Sequence, residues 1–280
     1  MNTITTNDRQ ISTLINLVIN QQSGLIDESL LETYIVEALE DDDYTFSSGL
    51  LGIGWFIALL DYEKMIQIDI DEILYDFDDN LYKIALKVIV DKNATIEEVT
   101  NLITYFHQRF LSKSNLKNNY RRFPIYECLK MLMEKWITLI STYYKIYCRI
   151  TLAKNLLKMS FVGVKAYENK EGEQVFFNVI EILLIEYSAS DKILSEKDIE
   201  AIFYLLIAVK QFHNPHWENL IRDVLSRSKH NNRKIMILEQ VSQIDSITKE
   251  IRLLNIHDET EVNDKEFLST LLSSIKFVKI

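Results

Sequence analysis

The chain has 280 residues, of which 48% are hydrophobic, enough for one large domain or two small ones, with a sizeable core. With only two prolines and six glycines it lacks the turn residues that an all-β fold needs every ~8–12 residues. A net charge of −10 argues against general nucleic-acid or anionic-membrane binding, both of which need positive charge.

The start, MNTITTNDRQ, has no basic segment followed by an apolar one, so no signal peptide is expected, and no apolar run reaches the ~18 residues of a membrane span. The expectation is a cytoplasmic protein with no membrane insertion. Residues 7–22 read as a short amphipathic helix capped by Asn7, and 27–40 as a second helix ending in the acidic run EDDD. Next comes SSGLLGIGWFIALLD, residues 47–61, which holds three of the six glycines. Ser47 or Ser48 caps this helix. Its apolar residues, Leu50, Leu51, Ile53, Trp55, Phe56, Ile57, Leu59 and Leu60, point in every direction, so it is predicted to be buried all round. Gly49 and Gly52 share a face, and without Cβ atoms a neighbouring backbone can approach closely there.

The segment after it has one dry face and one wet face. Asp69 with Glu72 makes a capping-box-like start, and Ile70, Ile73, Leu74, Phe77, Leu81, Ile84 and Val88 continue at helical spacing. Glu72, Asp76 and Asp79 lie opposite. A fully buried helix followed by a half-buried one is the pattern that two concentric layers of helices produce.

Thr95 with Glu98 opens a helix to about Leu111. The polar run SKSNLKNNYRR reads as a loop, with Pro124 in the first turn of the next helix. From there to Met159 no breaker intervenes. One helix of that length would span ~50 Å, so it is expected to bend or split. VKAYENKEGEQ reads as a loop or short hairpin around Gly172. Further helices are predicted at 173–188, 196–212, 215–229, 233–254 and 264–276, with Ser195–Asp198 and Pro215 marking two starts. The sum is a single all-α domain over residues 1–280 with about ten or eleven helices and no fixed-period repeat.

Gly49-Leu-Leu-Gly-Ile-Gly-Trp55 followed by Asp71-Glu-Ile-Leu-Tyr-Asp-Phe-Asp78 resembles a repeat of the lanthionine synthetase C-like family, in its small bacterial members associated with modified-peptide pathways. The similarity spans about residues 44–90. It implies an α/α toroid-like array, complete or incomplete, in which glycines let inner helices crowd around a central cavity. It also implies that Ser48, Gly49, Gly52, Gly54 and Trp55 line that cavity or bind a peptide or partner. The family's cyclases hold zinc with two cysteines and a histidine, in Cys-Gly and Cys-His-Gly contexts. This chain has no Cys-His pair and no His-Gly pair. Its two cysteines, Cys128 and Cys148, sit in apolar helical patterns and read as core residues. The fold carries over from the resemblance and the catalytic residues do not.

Other candidates are weaker. HNPHWE, residues 213–218, sets His213 and His216 beside a carboxylate, but the intervening proline keeps the two histidines off a shared face. DFDDN at 76–80 fails as a calcium loop, since its sixth position is Leu81 and its twelfth Lys87. KNNYRRF reads as a loop or partner contact. No P-loop, dinucleotide fingerprint, nucleophile elbow or metalloprotease motif is present. The expectation is a non-catalytic binding protein without cofactor, whose partner is a precursor peptide or a co-encoded modification enzyme. The alternatives are an enzyme that works without the usual metal or is completed by another subunit, and a generic helical scaffold.

Overall fold

The computed structural model describes residues 28–40, 44–46, 49–62, 66, 69–112, 119–162, 170–189, 194–210, 212 and 214–227. Ten helices and no strand occur among them: α1 Glu28–Glu40, α2 Leu50–Tyr62, α3 Ile70–Ile73, α4 Tyr75–Val90, α5 Ile96–Leu111, α6 Asn119–Tyr143, α7 Arg149–Val162, α8 Lys170–Ala189, α9 Glu196–Lys210 and α10 Pro215–Arg227. The fold is all-α. The helices expected at 7–22, 233–254 and 264–276 lie outside the described residues.

Local chemistry explains several starts. The Thr95 side chain accepts from the Glu98 amide at 3.2 Å, while the Glu98 carboxylate accepts from the Thr95 amide at 2.7 Å. Ser195 and Asp198 repeat the arrangement ahead of α9. Asp69 accepts from the Asp71 amide at 3.0 Å and caps α3. Each pair satisfies backbone donors that a helix start leaves open.

The helices pack in two rows. α2, α5, α7 and α9 are successive neighbours, and α4, α6, α8 and α10 lie beside one another in the same order. The first row is buried nearly all round: every residue of α2 from Leu50 to Leu60 is buried, as is a nearly unbroken run in α5 from Leu102 to Arg109. The second row buries one stripe per helix. In α4 it is Phe77, Leu81 and Ala85, continuing Ile70 and Leu74; in α8 it includes Phe176, Ile180, Leu183 and Tyr187. This is the 3.6-residue periodicity of a helix with one face in water. The buried-then-amphipathic alternation predicted for residues 47–88 thus recurs along the chain. Among the described residues no substantial packing joins α2 to α9, the two ends of the inner row.

Four local expectations are corrected. The segment after Asp69 is interrupted at Leu74, whose backbone leaves helical geometry (φ −88°, ψ 12°). Leu74 is neither Gly nor Pro and keeps the buried stripe in line, so periodicity runs straight across the break. α6 starts at Asn119, ahead of the predicted start, so Pro124 lies inside it and removes a backbone donor near its exposed beginning. Gly172 sits buried in the first turn of α8 rather than in a loop. Cys148 is exposed: the long helix breaks at residues 144–147, and Cys148 falls in the gap, its carbonyl accepting from Leu152 at 3.0 Å. Cys128 is a core residue as expected, and burial pushes its thiol up to about 12.

Candidate functional site

The glycine helix and the acidic segment after it meet at one point. A Cβ on Gly54 would stand 2.7 Å from Tyr105 Cε2 and 2.9 Å from Phe77 Cδ1, closer than real side chains come. Gly54 therefore lets α2 close onto α4 and α5 through two aromatic rings. The Tyr105 hydroxyl donates to Asp78 Oδ1 at 2.7 Å. Burial, and then the Asp78 charge, push this phenol well above its ordinary pKa, so it stays a donor.

Asp78 is shared with Arg109, which is 0% exposed. Arg109 Nε donates to both Asp78 oxygens at 3.1 and 3.0 Å, Nη2 to Asp71 Oδ1 at 2.6 Å, and Nη1 to Ser112 Oγ at 2.9 Å. Burial works against this charge, but Asp78, Tyr105 and the hydrogen bonds outweigh it and hold the guanidinium's pKa above its ordinary value. Arg121 donates to the Asp71 carbonyl from the far side. A planar five-donor fork holds two carboxylates in a fixed geometry, which the three rotatable donors of an ammonium do not impose. With its donors directed at the protein itself, the cluster is a staple of α3 and α4 onto α5.

The second polar cluster lies between the two middle helices of the inner row. Apart from Ser112, which comes directly after α5, the buried polar residues among those described lie on α5 and α7: Thr100, Thr104, His107, Gln108 and Arg109 on one, Asn155, Lys158 and Ser160 on the other. Asn101, Thr104 and Gln108 share one face of α5; Thr151, Lys154, Asn155 and Lys158 share one face of α7. Lys158 Nζ donates to Asn101 Oδ1 at 2.7 Å and sits 4.6 Å from the centre of the Phe46 ring. Phe46 in turn packs on Trp55, ring centres 5.6 Å apart. Lys154 lies 5.7 Å from the Tyr204 ring of α9. Asn155 donates to the Thr151 carbonyl at 2.7 Å, whereas the buried Gln108 Nε2 has no hydrogen-bond partner among the described residues. Asn101, Thr151 and Lys154 keep partial access to solvent. An ammonium, amide donors and aromatic walls together suit the carboxylates and backbone carbonyls of a peptide.

The fold distributes the residues singled out in sequence over several places. Trp55 joins the Phe46–Lys158 strip, and Gly54 faces the Tyr105–Arg109 staple. Gly49 and Gly52 are buried at the start of α2, with the Gly49 carbonyl accepting from Ile53 at 3.0 Å. Ser48 and His213 lie outside the described residues. His216 is exposed, with Nε2 3.7 Å from Glu181 Oε1, and Trp217 donates to the same carboxylate, so this corner ties α10 to α8. Among the described residues no group of three His, Cys, Asp or Glu side chains is placed to hold a metal. Nor is any described helix long and apolar enough to cross a membrane. Arg109, Tyr105, Asn101, Lys158 and Phe46 were not singled out in sequence. Arg109 carried a signal, a lone cation inside an otherwise buried helical pattern, whereas Lys158 shares its helix with Lys154, and the partner of each comes from a distant segment.

Comparison of the chain with protein-family models, with curated proteins and with solved structures finds no match.

Proposed function

We propose that this protein is a non-catalytic peptide-binding component of bacterial modified-peptide biosynthesis, a degenerate relative of the lanthionine synthetase C-like proteins. The observation that carries the binding reading is the strip formed by Phe46, Asn101 and Lys158 on the inner row, flanked by Trp55 and Lys154. Its lysines donate and Asn101 both donates and accepts, a set suited to holding a peptide chain. The relationship itself rests on the two motif segments at 49–55 and 71–78, which the Gly54–Tyr105–Asp78 contact brings together.

The test is a calorimetric titration with a leader-bearing precursor peptide encoded beside the gene, followed by mass analysis of the peptide. The peptide should bind with its mass unchanged, and Lys158→Met should weaken binding about tenfold, worth about 1.4 kcal/mol, with the helical spectrum intact. Absence of binding by the folded protein, or indifference to Lys158→Met, would contradict the proposal. A change in peptide mass would replace it with the enzyme reading.

A further inference from the structure

Where α4 begins beside the start of α6, the surface changes character. Tyr75 is 58% exposed, Tyr120 93%, Phe123 66% and Tyr126 40%. Tyr120, Phe123 and Tyr126 recur at steps of three, so they occupy one side of α6. Arg121 lies over the Tyr75 ring at 4.6 Å and Arg122 over the Phe110 ring at 4.7 Å, while Phe110 and Tyr126 are 5.9 Å apart. Arg121 with Tyr75, and Arg122 with Phe110 and Tyr126, thus make two cation–ring groups at this end of α6.

The α6 side of this surface carries two arginines, whereas Glu72, Asp76 and Asp79 are exposed on the α4 side beside Tyr75. Acidic residues outnumber basic ones, 41 to 31. Yet Arg121 gives its hydrogen bond to a backbone carbonyl, and among the described residues neither it nor Arg122 pairs with a carboxylate. Exposed aromatics interleaved with arginine are the composition of interface hot spots.

We propose that this surface docks an amphipathic helix of a partner protein, its apolar face covering Tyr120, Phe123 and Tyr126 and its flanking carboxylates pairing with Arg121 and Arg122. A second copy of the chain is the poorer occupant, because a two-fold contact would set arginine against arginine. A nucleic acid is poorer too: two cations neutralise few phosphates, and the net charge of −10 repels a polyanion. This surface is separate from the peptide strip on the inner row, and neither depends on the other.

The test is fluorescence anisotropy with a fluorescein-labelled amphipathic helical peptide that has a leucine face flanked by glutamates, and with the same peptide carrying lysines instead. The glutamate peptide should bind, more weakly as salt rises, and the lysine peptide should not. Arg121→Gln with Arg122→Gln should weaken binding about tenfold. Tyr120→Ser with Phe123→Ser, on side chains too exposed to matter for folding, should do the same, and Lys158→Met should change nothing. The proposal is overturned by failure of the glutamate peptide to bind, by equal binding of the lysine peptide, or by both double variants binding like the parent. A self-associated state in sedimentation that both double variants abolish, or tighter binding of single-stranded DNA than of the peptide, would overturn it as well.

Discussion

At Gly54 two opposing effects can be weighed. Alanine in a helix is favoured over glycine by about 1 kcal/mol. The added methyl would meet Tyr105 at 2.7 Å and Phe77 at 2.9 Å, and neither ring is free to swing away, since Tyr105 is tied to Asp78 and Phe77 is fully buried. Overpacking of this kind costs about 1–3 kcal/mol, so Gly54→Ala should lower the melting temperature despite the better helix former. A melting temperature at or above that of the parent would show that the rings yield. The sequence announced that glycine was concentrated here but not what each one faces, because Tyr105 and Phe77 belong to other helices. The two cysteines make a second residue-scale prediction. Cys148 is exposed and Cys128 buried with its thiol pushed up to about 12, so one thiol should react promptly with an aromatic disulfide reagent in the native protein and the other only on unfolding. Equal reaction of both would contradict the placement of α6.

Helices α3, α4 and α5 are held as a unit by Arg109. Removing one member of a buried charge cluster leaves the others uncompensated, at a cost of about 3–5 kcal/mol. Arg109→Leu should therefore lower the urea midpoint far more than Lys83→Leu, whose partner Asp79 is 57% exposed. Comparable losses in the two variants would mean that the staple contributes no more than a surface pair. The capping boxes were legible because their groups lie three residues apart, and so was the amphipathic stripe of α4. The staple was not legible, since Asp71 and Asp78 meet Arg109 only after α3 and α4 fold back onto α5. The break at Leu74 left no trace in the pattern, because the buried face continues through it.

For the molecule as a whole, the inner and outer rows recur without a regular sequence period. The inner helices begin at residues 50, 96, 149 and 196, at the similar but unequal intervals of 46, 53 and 47 residues, and the glycine-led motif of α2 is not repeated at the later starts. The class of fold was still legible, through the shift from a helix apolar all round to one with a wet face. The core also sets a response to alkali. Tyr105, Tyr187 and Cys128 are raised chiefly by burial and hold their protons in the fold, whereas the unfolded chain releases them at their ordinary values. Above pH ~9 the folded state thus binds more protons than the unfolded state, and stability falls with rising pH by up to about 1.4 kcal/mol per unit for each group. The urea midpoint should drop between pH ~8 and pH ~11, and a flat profile would contradict the buried placement of these groups.

The two-row arrangement underlies both binding proposals, and native-state hydrogen exchange read by mass spectrometry tests it most directly. Segments of α2, α5, α7 and α9 should exchange slowest, because they open only with the core. The exposed faces of α4, α6, α8 and α10 expose their helices to earlier local opening. Equal protection in the two rows, or stronger protection in α4 and α10 than in α5 and α7, would contradict the account.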